Sequence, residues 1–128
     1  MTDAEMAALA ERFFGCIESG DVDGLVACYA ADAKIWHNTD GQVQGPEDNR
    51  ATLAGLVRYF ENRVYDERRL EVFPGGFVQQ HVLRARRIRD GQPVALAACI
   101  VCRVEGGKIT RLDEYFDSAA VAAFTGAS

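Results

Sequence analysis

From residue 64 to residue 117 the chain alternates apolar and polar positions with a period of two, interrupted by the glycine turns Pro74-Gly75-Gly76, Asp90-Gly91 and Gly106-Gly107. Such turns between alternating segments specify hairpins. The reading is therefore an antiparallel meander of four long strands, over 64–73, 77–89, 93–104 and 108–117. What precedes it is helical. Thr2 and Glu5 have the spacing of a capping box, after which Met6, Leu9, Ala10, Phe13 and Ile17 recur on one helix face until Gly20. Asp21 can cap a second helix at once, with Val22, Leu25, Val26 and Tyr29 as its stripe, so the two form a helical hairpin. A short strand over 33–37 and the polar turn Asn38-Thr39-Asp40-Gly41 lead to a third helix, which starts at Pro46 and turns Leu53, Leu56, Val57 and Phe60 inward.

Helices first and strands afterwards is the order of an α+β fold with the helices on one sheet face. Long strands twist and curl, and a curled sheet holding helices in its concave side leaves a dead-end hollow of the kind that takes small molecules. A length of 128 residues suits a single domain spanning 1–128, and a composition of 48% hydrophobic and 26% charged residues is that of an ordinary globular protein. The net charge of −5 argues against nucleic acid or an anionic membrane as partner, since those are gathered by clustered Lys and Arg. The start of the chain lacks the basic and apolar regions of an export signal, and the longest apolar run, 94–102, is too short to cross a bilayer. A cytoplasmic location is the default expectation.

Cys99 and Cys102 spell Cys-x-x-Cys, but within a strand positions three apart face opposite ways, so the two thiols cannot share a metal. No metal is expected. No phosphate-cradling glycine loop, zinc-protease motif or nucleophile elbow is present, so no tightly held cofactor is implied. Arg84, Arg86, Arg87 and Arg89 alternate to both faces of a strand end, solvated or paired across the sheet with Asp113 and Asp117.

On the last strand Thr110, Leu112, Glu114 and Phe116 share the more apolar face, which should point inward. That leaves Glu114 as a carboxylate between Leu112 and Phe116, unless the register is one residue out and it faces solvent. A carboxyl group in apolar surroundings resists ionisation, which suits a general acid or base. His37, at the end of its strand beside Trp36, exchanges protons near neutral pH, or else caps the following turn. His81 joins the pocket wall if Phe77, Gln79 and Leu83 face inward, and otherwise lies outside. Asp40 is a possible orienting partner. Trp36, Tyr59 and Phe60 are candidate apolar walls.

Three stretches carry a family likeness: 13–21 (Phe13-Phe14-Gly15-Cys16-Ile17-Glu18-Ser19-Gly20-Asp21), 29–33 (Tyr29-Ala30-Ala31-Asp32-Ala33), and 107–117 from Gly107 to Asp117. In these the chain resembles the nuclear transport factor two-like superfamily, in its SnoaL-like and ketosteroid isomerase-like branch. The resemblance implies a cone-shaped, curved, mixed sheet wrapped around the helical hairpin and third helix. It also places His37 where ketosteroid isomerases hold an aspartate base, and Glu114 where SnoaL-like cyclases and limonene epoxide hydrolases hold an acidic catalytic residue. The oxyanion-stabilising tyrosine of the isomerases maps to Phe13 and their protonated aspartic acid to Cys99, neither of which is a strong donor. Steroid isomerisation is thereby disfavoured.

The expectation is a small enzyme performing cofactor-free acid/base chemistry on an apolar organic ligand, of isomerase, cyclase or epoxide hydrolase type. Glu114 and His37 would move protons with His81 and Asp40 in support, and Phe13, Trp36, Tyr59, Phe60, Cys99, Leu112 and Phe116 would bind substrate. The alternative is a non-catalytic ligand-binding or dimerisation module. A homodimer through the outer sheet face is expected, with Leu96, Ile100 and Val104 on that face if Cys99 points inward.

Overall fold

Helix α1 (Asp3–Ser19) starts where the capping box places it: Glu5 N–H donates to Thr2 Oγ1 at 3.1 Å and Thr2 N–H to Glu5 Oε1 at 2.9 Å. Gly20, with a φ of 83°, ends it in the left-handed conformation that glycine adopts without a Cβ clash. In this computed structural model, which describes residues 1–126, Asp21 then caps a short α2 (Val22–Val26) through Gly24 N–H at 2.9 Å. Strands β1 (Tyr29–His37) and β2 (Val43–Gln44), helix α3 (Pro46–Tyr59), strands β3 (Phe60–Phe73), β4 (Gly76–Arg87), β5 (Pro93–Glu105) and β6 (Lys108–Phe116), and helix α4 (Ser118–Thr125) follow.

The six strands form one mixed sheet in the order β2-β1-β6-β5-β4-β3. The pair β1 and β6 is parallel and the others are antiparallel. The expected meander is β3 to β6, with the helices packed on one face, so the fold is the anticipated α+β cone. Curvature enters through β3. Its residues Asn62 and Glu67 have positive φ, 55° and 52°, and lie within the two register shifts against β4, which mark bulges that bend the strand.

Several boundaries differ from the sequence reading. Tyr29 belongs to β1, paired with Ile109, because a tertiary partner in β6 claims it from the helix. Phe60 opens β3 instead of closing α3, and β4 stops at Arg87. The β2 strand and α4 were not expected at all. Asp117 caps α4 through Ala120 N–H at 2.9 Å, while Phe124 stacks on Phe60 with ring centroids 4.6 Å apart.

Parity on β5 is the main correction. Cys99 pairs with Gln80 and Tyr115 on the outer face, while Leu96, Ile100 and Val104 are buried in the core beneath the helices. Those three are therefore not available to an outer-face dimer contact. Ala95, Ala97 and Ala98 give this strand little contrast between faces, so its neighbours decide. Cys102 is fully buried and opposite in direction to Cys99, as the spacing requires. The arginines also find other partners than Asp113 and Asp117. Arg84 bonds Asp66 and Glu67, Arg86 sits by Glu61, and Arg87 bridges Asp90 to the carbonyls of Ala123 and Phe124 in α4. Asp113 pairs with Arg111 on its own strand.

Candidate active site

Between the helices and the sheet lies a cavity of about 410 Å³. Its walls are mostly apolar, with Phe13 from α1, Leu56 from α3, Leu96 and Ile100 from β5, and Val121 and Phe124 from α4. Phe60, Leu112 and Phe116 line it too, as the sequence predicts. Helix α4 supplies part of the wall, which is why the residues that enclose the cavity could not all be named from the meander alone.

Two titratable groups meet in this apolar setting. The parallel register of β1 and β6 sets His37 directly opposite Glu114, and His37 Nε2 lies 3.3 Å from Glu114 Oε1. Asn38 fixes the end of this ladder, its N–H donating to the Glu114 carbonyl at 3.1 Å and its Oδ1 accepting from Phe116 N–H at 3.0 Å. The imidazole stacks on Phe116, centroids 5.8 Å apart. Both side chains are largely buried, at 16% and 19% exposed, so the interaction is weakly screened. The hydrogen bond to Glu114 raises the proton affinity of His37, burial opposes it, and the charges of Glu114 and Asp40 add to the rise. Asp40 itself sits at the exposed rim, its Oδ1 accepting from Gln42 N–H at 2.8 Å, so it acts on His37 through its charge.

The remaining predicted residues lie elsewhere. Trp36 points to the outer face and packs edge-on against Tyr115 at 5.3 Å, because alternation along β1 reserves the inner face for Ile35 and His37. Tyr59, 56% exposed, lies outside the cavity beneath the Arg58 guanidinium. Cys99 lines a separate concavity of about 680 Å³ on the outer face, together with Gln80 and Tyr115. That hollow is larger but open, and among the described residues it has no counterpart of the His37–Glu114 pair. His81 does turn to the inner face, yet it is walled off from the cavity by Phe14 and Tyr65, with centroid distances of 5.7 Å and 4.5 Å.

Polar groups absent from the sequence reading complete the site. Tyr29 O–H donates to Asn49 Oδ1 at 2.9 Å, a buried bond joining β1 to α3. Tyr65 from β3 and Gln44 from β2 also line the cavity, and the Gln44 Oε1 is buried with no partner among the described residues. Burial pushes both phenols well above the ordinary tyrosine range, and the Glu114 charge raises them further. Asn49 could have been found: Asn49, Leu53 and Leu56 share one helix face. Among the described residues no group of three or more His, Cys, Asp or Glu comes together as a metal site, and no helix is long and apolar enough to cross a membrane.

Over residues 10–112 the chain matches the SnoaL-like domain family. Known folds agree. A candidate polyketide cyclase from Xanthomonas campestris superposes with a TM-score of 0.84 at 16% identity, covering 96% of this chain and 98% of that one. A candidate isomerase from Bacillus subtilis gives a TM-score of 0.84 at 12% identity, covering 100% and 98%. A nuclear transport factor two-like protein from Burkholderia xenovorans gives 0.78 at 21% identity, covering 98% of each chain. None of the curated proteins matches the chain in sequence. At these identities the likeness is one of fold, and the chemistry must be argued from the cavity.

Proposed function

The chain belongs to the SnoaL-like domain family, and on that premise we propose that it is an enzyme relocating protons on a small apolar organic molecule, in an isomerisation or ring closure. The observation that carries this reading is the hydrogen-bonded His37–Glu114 pair opening on an otherwise oily cavity. A carboxylate held there can accept a proton from a C–H group next to a carbonyl, while the electron pair of that bond moves toward the carbonyl oxygen. The proton then returns at a different atom and Glu114 is regenerated. His37 steadies the carboxylate, and its raised proton affinity favours the imidazolium form beside it. Asp40 at the rim supports the imidazolium through its charge. Apolar walls exclude competing water and strengthen each electrostatic contact.

The test is solvent deuterium incorporation. A panel of hydrophobic ketones incubated with the protein in heavy water is followed by mass spectrometry. Glu114→Gln should lower exchange by about 10²- to 10⁴-fold, the usual contribution of a positioned base. His37→Ala should lower it less. Undiminished exchange in both variants removes the assignment. A ligand that binds the wild type and returns without deuterium favours a non-catalytic binding module, a reading supported by the lack of a strong donor at Phe13 and by the outward turn of Cys99.

A further inference from the structure

Charge that leaves a C–H bond must be received at another atom, and the cavity holds a group suited to receive it. Tyr65 is 7% exposed, and its ring is fixed edge-on against Phe14 at 5.0 Å and against His81 at 4.5 Å. Its backbone is tied as well, Tyr65 N–H donating to Glu18 Oε2 of α1 at 2.9 Å. Among the described residues its hydroxyl has no hydrogen-bond partner, yet it is not one of the sealed, unpaired polar atoms. A partnerless oxygen that is not sealed must face open space, and the space that Tyr65 lines is the cavity. Tyr29 is the contrast, since its O–H is committed to Asn49.

We infer that the Tyr65 hydroxyl is the hydrogen-bond donor that receives the substrate's carbonyl oxygen, which makes carbonyl compounds able to form an enolate the substrate class. The sheet order supports the placement. Tyr65 on β3 stands three strands from Glu114 on β6, and both line the same hollow, so proton removal and oxyanion binding occur on opposite sides of the ligand. The donor also persists, because burial and the Glu114 charge hold the phenol protonated throughout the neutral range. In the reaction the C–H proton passes to Glu114, the electron pair settles on the carbonyl oxygen, and the Tyr65 O–H bond stays intact while its hydrogen bond shortens. The return of the proton reverses each change. This places on a sheet strand the donor that neither Phe13 nor Cys99 can supply.

The inference rests on the proton-transfer reading for its catalytic meaning, whereas its test needs no turnover. The probe is para-nitrophenol, whose ionised form mimics an enolate, compared with para-nitroanisole, which has the same nitrophenyl ring but a methylated oxygen that cannot ionise. Tyr65→Phe should weaken phenolate binding roughly 10- to 100-fold, as expected for losing one hydrogen bond to a charged oxygen, and leave anisole binding unchanged. Replacing Tyr65 by fluorotyrosine, a stronger donor of nearly equal shape, should tighten phenolate binding. Phenolate affinity within twofold of wild type in Tyr65→Phe, or an equal loss for both probes, overturns the inference, as does a fluorotyrosine protein that binds no tighter. Loss of phenolate preference in a protein that never exchanges deuterium leaves the donor site standing and removes only the enzyme reading. Exchange that needs Glu114 but ignores Tyr65→Phe, with phenolate binding equally indifferent, removes the donor alone.

Discussion

His37 and His81 are the two histidines of the chain, both turned toward the helix-covered face, and they have opposite chemistry. His37 opens on a cavity and meets a carboxylate, which raises its affinity for a proton. His81, 4% exposed, meets an amide and two aromatic edges, and burial with the Arg68 charge lowers its pKa to about 4. The amide's own partner settles its orientation. Gln79 Oε1 accepts from Arg68 Nε at 2.9 Å, so its nitrogen faces His81 Nδ1 at 2.9 Å and the imidazole carries its proton on Nε2. Arg68 in turn binds Glu11 of α1 at 2.6 Å and 3.0 Å. One imidazole thus belongs to the proposed proton-transfer site and the other to a strut joining α1, β3 and β4. The difference comes from partner charge and solvent access, since the side chain is the same.

The largest stability effect that could break this contrast is acid destabilisation through His81. Its folded pKa lies below the unfolded value of 6.5, so the unfolded chain binds a proton first as the pH falls. The contribution is fully present above 6.5 and is lost between there and about 4. At about 1.4 kcal/mol per pH unit the loss amounts to about 3 kcal/mol. Denaturant titrations across this window should show the slope, and His81→Asn, which keeps an acceptor near Nδ1, should flatten it. An unchanged slope in that variant would assign the acid sensitivity to other groups.

Next in size is Gln79→Leu, which orphans both the buried His81 Nδ1 and one Arg68 donor. A cost of about 2 kcal/mol is expected from such unpaired groups. A change under about 0.5 kcal/mol, the level of an inert surface substitution, would show that the strut contributes little. The smallest effect belongs to His37 and has the reverse sign. Because its folded pKa is raised, its contribution is present below 6.5 and fades as the pH climbs through the folded value. Imidazole proton resonances should titrate above 6.5 for His37 and near 4 for His81. In Glu114→Gln the His37 midpoint should fall while that of His81 stays, and a shift of both would contradict their separation.

Much of this arrangement is visible in local pattern. The capping box, the glycine turns and the inward side of β6 follow from spacing, because each depends on residues close in sequence. Glu114 is legible between Leu112 and Phe116 for the same reason. Trp36 and Tyr59 mislead because an aromatic ring suits either an inner wall or a half-covered surface, and each found a partner outside, Tyr115 and Arg58. Cys99 misleads because a strand rich in alanine carries no strong sidedness. Tyr65 was overlooked because the bulges at Asn62 and Glu67 break the alternation around it. Helix α4 was overlooked because it is short and is held by Arg87 and Phe60, which lie far away in the chain.

The sequence alone determined the class of fold, the order of the first three helices and the four-strand meander, and the presence of a lone acid on the apolar side of the last strand. Periodicity and turn chemistry are local, and they act before any long-range contact forms. Only the tertiary structure decided that β1 lies parallel to β6 with His37 opposite Glu114, that Tyr65 faces the same hollow, and that His81 is shut away from it. Those outcomes depend on register and curvature, which are set by the packing of segments distant in the chain, and no short stretch of sequence encodes them.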